Sequence, residues 1–172
     1  MMEFDCTICG KKHDVFTRIT LPELNVLIGM NEQEFETRVQ VFKDKFYFVN
    51  TKQVFFKADL KIQIKTLEQY IRFEVWVKIN PIDFIKMAEK LDGIDSSING
   101  VLAFNIPFYK DTKGTNLNIR FKLNEKSIKN PSIAGVESDN PLGVDFRDGI
   151  SEKKVVEWMK ILHHFPSENI FN

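Results

Sequence analysis

Both cysteines of this 172-residue chain and one of its three histidines fall within Cys6-Thr7-Ile8-Cys9-Gly10-Lys11-Lys12-His13. A Cys-x-x-Cys turn brings two thiolates to one ion, and an imidazole a few residues on can supply a third donor. Gly10 allows the chain to bend back so that amides face the sulfurs. Such donors suit zinc, which takes four ligands in structural sites. Cys6, Cys9 and His13 are local, so the fourth ligand must come from afar. His163 or His164 is the first candidate, and would tie the two ends of the chain together; Asp14 and water are weaker ones. Two readings compete with the metal. A redox dithiol needs its first Cys near a helix N-terminus, and Gly10-Lys11-Lys12 is a poor helix. The other is a pair of reduced, unligated cysteines in a turn. The metal reading ranks first of the three.

A catalytic zinc would need an open position and a general acid or base beside it. Neither the His-x-Glu with Pro-Cys-x-x-Cys of zinc deaminases nor His-Glu-x-x-His occurs in the sequence. A structural site is therefore favoured. A second constellation gathers Glu137, Asp139, Asp145, Arg147 and Asp148, with Arg120 on a neighbouring strand. Asp145 and Arg147 are the pair to watch for acid–base work in an enzyme pocket. Turn formers, caps and surface ion pairs are the commoner use of such residues, and Asp139-Asn140-Pro141 reads directly as turn chemistry. There is no Gly-rich phosphate loop and no nucleophile elbow.

The elements that must position these residues are legible in the hydrophobic pattern. Phe16 to Gly29 looks irregular. Asn31 to Glu34 has the form of a helix start, with Asn31 as N-cap and Glu34 able to reach back. Phe46 to Val49 reads as a strand. Phe56, Ala58, Leu60, Ile62 and Ile64 then alternate with polar residues, as do Ile71, Phe73, Val75, Val77 and Ile79. Period-two alternation across a four-residue gap predicts an antiparallel hairpin. Asn80-Pro81 starts a helix whose stripe is Ile82, Ile85, Met87 or Ala88, and Leu91, ended by Gly93. Strands follow at Gly100–Phe104, Leu117–Leu123 and near Ser132–Glu137, then a turn at Ser138-Asp139-Asn140-Pro141. Ser151 caps a last helix carrying Val155, Trp158 or Met159, Leu162 and Phe165. Tyr70 and Trp76 lie on the strand face opposite Ile71 to Ile79, and for Trp76 burial under a neighbouring element is favoured over an exposed anchor.

Composition narrows the function. Lys plus Arg and Asp plus Glu number 24 each, which leaves no basic footprint for nucleic acid. Two cysteines make no disulfide framework, the N-terminus has no signal-peptide pattern and no apolar run spans a membrane. A cytoplasmic protein is expected. Sixteen Phe and 43% apolar residues suffice for a core that does not depend on metal.

Taken together, several segments resemble a bacterial family known only as domain of unknown function 2199. They are Cys6-x-x-Cys9-Gly10-x-x-His13, Val75-Trp76-Val77 before Asp83-Phe84, Tyr109-x-Asp111-Thr112-x-Gly114, Asn140-Pro141-Leu142 and Gly149-Ile150-Ser151. They span nearly the whole chain in the right order. The resemblance implies a fold and a metal knuckle but no activity. The chain departs from the family's pattern at Phe46, where relatives carry a further Cys, and at Lys57-Ala58, where they carry Arg-Gly.

The expectation is a single α+β domain over 1–172, with a Cys/His knuckle at 1–15 and a body at 16–172. Its antiparallel sheet has about five or six strands, with two main helices near Pro81–Leu91 and Ser151–Phe165. The function expected is a small zinc-stabilised binding or interaction module, with Cys6, Cys9, His13 and His163 as ligands and a protein as its class of partner. The alternatives are an enzyme with a pocket near Asp145 and Arg147, and an immunity-type or regulatory protein that covers one partner.

Overall fold

A computed structural model describes residues 3–89, 96–121, 123–124, 127–128 and 131–164. Leu91, Gly93 and Phe165, placed at helix ends from the sequence, lie outside the described residues. Three short strands open the chain: β1 (Glu3–Asp5), β2 (Lys12–Asp14) and β3 (Arg18–Thr20). Helices α1 (Leu24–Leu27) and α2 (Glu32–Arg38) lead into β4 (Val39–Phe42), β5 (Phe46–Val49), β6 (Gln53–Ile64) and β7 (Gln69–Ile79). After α3 (Pro81–Glu89) come β8 (Ser96–Leu102), β9 (Asn116–Phe121), the small pair β10 (Leu123–Asn124) and β11 (Ser127–Ile128), and β12 (Ser132–Glu137). Helices α4 (Pro141–Asp148) and α5 (Glu152–His164) follow.

The α+β class holds, but the sheet is not a simple antiparallel one. Eight strands run in the order β3-β7-β8-β9-β12-β6-β5-β4, and β6 also pairs with β7 along its whole length. The ring β6-β7-β8-β9-β12 is thereby a closed five-strand barrel, with β3 and the β5-β4 pair as extensions. Its last contact, Ser132 against Asp59, is parallel, as is β3 beside β7. Topology explains the first of these. Strands that alternate up and down around a ring of odd number bring the first and last together in the same direction. No local pattern announces such closure, which is why the strand pattern predicts only an antiparallel sheet of about five or six strands.

The barrel is filled by the inward faces of the alternating strands. Ala58, Leu60, Ile62, Ile64, Ile71, Phe73, Val75, Val77, Leu117, Ile119 and Phe121 are all buried. A fully buried large aliphatic side chain contributes about 1.5–3 kcal/mol, so this interior is a major source of the fold's stability. Phe46, Phe56, Phe84 and Phe121 form an aromatic cluster with centroids 5.0–6.4 Å apart. Helix α3 thus buries Phe84 and packs Ala88 against the core, while Ile82 and Ile85, also expected on its core stripe, are exposed. Trp76 points outward and is covered: its indole N–H donates to the Pro22 carbonyl at 2.9 Å and Tyr47 packs edge-on at 5.2 Å. Helix α5 buries Val155, Trp158 and Met159, and Trp158 meets Phe73 of the barrel interior at 5.9 Å.

The turn expected at Ser138-Asp139-Asn140-Pro141 runs directly into helix α4, which the sequence pattern does not predict. Asn140 caps it, accepting from the Gly143 amide at 3.0 Å, and Pro141 occupies its first turn. Asn31 forms the expected capping box with Glu34. No helix among the described residues is long and apolar enough to cross a membrane.

Candidate metal centre

Strands β1 and β2 pair in the register Glu3–Asp14, Phe4–His13 and Asp5–Lys12. Buried Phe4 anchors this hairpin to the core. Between the strands the chain makes a tight loop. The Cys6 amide donates to the Lys11 carbonyl at 2.9 Å, and the Gly10 amide to the Cys6 carbonyl at 2.8 Å. Gly10 has φ +70°, a left-handed conformation that costs a residue with a β-carbon about 1–2 kcal/mol. The loop leaves Cys6 buried and Cys9 exposed.

Across this loop, Cys9 Sγ lies 3.0 Å from His13 Nε2. Cys6 Sγ lies 3.1 Å from Nε2 of His164, the last residue of α5. One donor atom from each of Cys6, Cys9, His13 and His164 falls within 4.8 Å of all the others. A tetrahedral zinc with bonds of about 2.0–2.3 Å separates its ligands by about 3.3–3.8 Å. The four donors bracket that separation, and their types are those of a Cys2His2 shell, so they fit the ion.

Helix α5 meets the hairpin through two adjacent pairs of residues, each one turn apart. Met159 and His163 address the segment after β2: Met159 Sδ accepts the Phe16 amide at 3.2 Å, and His163 Nε2 donates to the Asp14 carbonyl at 2.9 Å. Lys160 and His164 address the loop: Lys160 Nζ donates to Thr7 Oγ1 at 2.9 Å, and His164 reaches Cys6. Adjacent helical residues point about 100° apart, as 3.6 residues per turn require, and the two rings meet His13 differently, His163 tilted at 4.3 Å and His164 edge-on at 5.3 Å. Of the two, it is His164 whose ring nitrogen lies within the donor group. His163 stacks on Phe16 at 4.6 Å and packs, tilted, against the His13 ring at 4.3 Å, which restrains that ring. Asp14 contributes its carbonyl to this contact.

The surroundings favour the protonation states a metal needs. Burial pushes the Cys6 thiol up, but hydrogen bonds from the Cys9 and Ile8 amides, then from the His164 and Cys9 side chains, outweigh it and bring it down to about 7. His13 is held below the usual histidine value by burial and by repulsion from His163 and His164. Metal ligation requires thiolate and neutral imidazole.

The second constellation does not converge. Asp145 Oδ2 accepts the Tyr109 hydroxyl at 2.7 Å and bonds Lys154 Nζ. Arg147 turns the other way, donating to the Ser138 carbonyl at 2.8 Å and to Asp139 at 3.3 Å. Phe46 sits in the aromatic cluster, and the donor group at the knuckle is completed without that position.

A profile of the family described as "Uncharacterized protein conserved in bacteria (DUF2199)" matches residues 5–150. The chain belongs to this family. The DUF2199 match covers Cys6, Cys9 and His13, and His164 lies beyond its end. No curated protein and no solved structure matches the chain.

Proposed function

We propose that this protein is a small zinc-stabilised binding module, in which Cys6, Cys9, His13 and His164 hold one structural zinc ion. The observation that carries the reading is the gathering of four soft and borderline donors, from both ends of the chain, within 4.8 Å. Four protein ligands complete a tetrahedral shell and leave no position for a substrate, which is the mark of a structural site. The ion would lock the β1–β2 hairpin to α5. It would also fix the loop that carries Ile8, an apolar side chain 56% exposed at the knuckle. A rigid loop presenting an apolar residue to solvent suits recognition of a protein partner better than catalysis.

Elemental analysis of protein purified without chelator tests this reading. The expectation is about one zinc per chain, the stoichiometry of one four-ligand site. Cys6→Ser with Cys9→Ser should abolish it while the barrel stays folded by circular dichroism. Metal-free wild-type protein that takes up no zinc on titration would overturn the proposal.

A further inference from the structure

Three cations stand side by side on the outer face of the barrel. Arg18 of β3 is in register with Arg72 of β7, and Arg72 is in register with Lys61 of β6. Like charges directly opposed across strands destabilise a sheet, and adjacent strands are only about 4.8 Å apart. The neighbouring row, Glu74 and Asp59, offsets part of this. Arg18 donates to Glu74 at 2.7 Å. Arg72 comes no closer than 3.8 Å to Asp59, too far for a hydrogen bond, and Lys61 has no ion pair among the described residues. Arg18 and Arg72 keep 52% and 41% of their side-chain surface open to solvent. The row borders an open depression of about 470 Å³ that Thr17 and Tyr70 also line, and among the described residues Glu68 is the one acidic residue on its wall.

The geometry points to a binding site for a small phosphomonoester, with Arg72 central and Arg18 and Lys61 flanking it. The Arg72 guanidinium, the N–H groups of Arg18 not given to Glu74, an ammonium and two hydroxyl-bearing residues offer more donors than the two oxygens of a carboxylate can accept. A terminal phosphate presents three oxygens and close to two negative charges. Half-exposed Tyr70 provides a surface for the organic part of the ester. The site lies on the barrel face, and it stands whether or not the knuckle binds zinc.

The test is a titration of the 15N-labelled full chain, as purified, at low ionic strength, followed by amide NMR. The probes are glycerol 3-phosphate, inorganic phosphate and succinate, a dicarboxylate of equal charge. Glycerol 3-phosphate should shift the Thr17, Arg18, Tyr70 and Arg72 amides saturably, with a dissociation constant of about 1 mM or below. Arg72→Gln should weaken binding by about tenfold or more, and exposed Lys61→Gln by about threefold, charge-assisted hydrogen bonds being the strong ones. Lys61→Gln keeps the test decisive should Arg72→Gln unfold. Shifts that fail to saturate by about 10 mM, an unchanged response in both variants, or succinate binding as tightly as the ester would overturn the assignment.

Discussion

Cys6 Sγ and His164 Nε2 stand 3.1 Å apart although 158 positions separate them in the chain. The contact joins the first hairpin to the last helix described, and it completes a donor group whose other members are local. A site closed in this way couples metal binding to the docking of both ends, because a preformed shell does not exist once they separate.

The two histidines of α5 should therefore behave differently. His164→Ala removes a donor and should weaken zinc binding by more than about 100-fold, whereas His163→Ala removes only a stack and a carbonyl contact and should cost about tenfold, the range for groups that orient ligands. Competition against a chromophoric chelator measures both. Equal losses would mean that the two side chains exchange roles.

Chelation should loosen the ends and spare the barrel. Removing zinc from wild-type protein should raise amide exchange over residues 3–16 and in the last turns of α5. Exchange in β6 and β7, whose inward side chains are fully buried, should stay slow, as expected of core strands. Global unfolding on chelation would show that the barrel does not stand without the metal.

Alkaline pH should act through Tyr109. Burial, then the hydrogen bond to Asp145 and its charge, raise the Tyr109 pKa well above the usual tyrosine value. A raised folded-state pKa contributes stability that is fully present below the unfolded value, about 10, and lost as pH rises above it. The wild type should thus lose stability above about pH 10, and Tyr109→Phe should lose less there. At neutral pH the same substitution should cost about 1 kcal/mol for the hydrogen bond. Denaturant titrations across pH measure both, and parallel pH profiles for the two proteins would contradict the assignment.

Gly143 tests α4. A β-carbon there would lie 1.9 Å from the Ser138 carbonyl oxygen, a backbone atom that cannot swing aside. Gly143→Ala should therefore destabilise by about 2–3 kcal/mol. Gly114→Ala, where φ is +85° and the space is open, should cost about 1–2 kcal/mol. Urea midpoints compare the two, and a milder effect at Gly143 would mean that α4 shifts freely.

How far the fold could be read from the sequence depended on the range of the signal. Strands β6 and β7 were legible because alternation with one wet face is a local pattern. Barrel closure was not, since it follows from the number of strands in the ring rather than from any residue. Asn80-Pro81 and Asn140-Pro141 are the same dipeptide; the first was read as a helix start and the second as a turn, yet both precede helices. What hid the second is the short, weakly apolar segment after it, with Gly143 inside, which has little helical pattern. At the knuckle, spacing alone points to Cys6, Cys9 and His13, which the structure gathers with His164. The choice between His163 and His164 depends on the rotation of α5 about its axis, and that is set by where Met159 and Lys160 dock.

Zinc K-edge X-ray absorption on the purified protein reads the ligand shell itself. A zinc held by Cys6, Cys9, His13 and His164 has a first shell of two sulfurs and two imidazole nitrogens, at about 2.3 and 2.0–2.1 Å, with one nitrogen replaced by oxygen in His164→Ala. A shell of oxygens alone, or one left unchanged by His164→Ala, would contradict this ligand set.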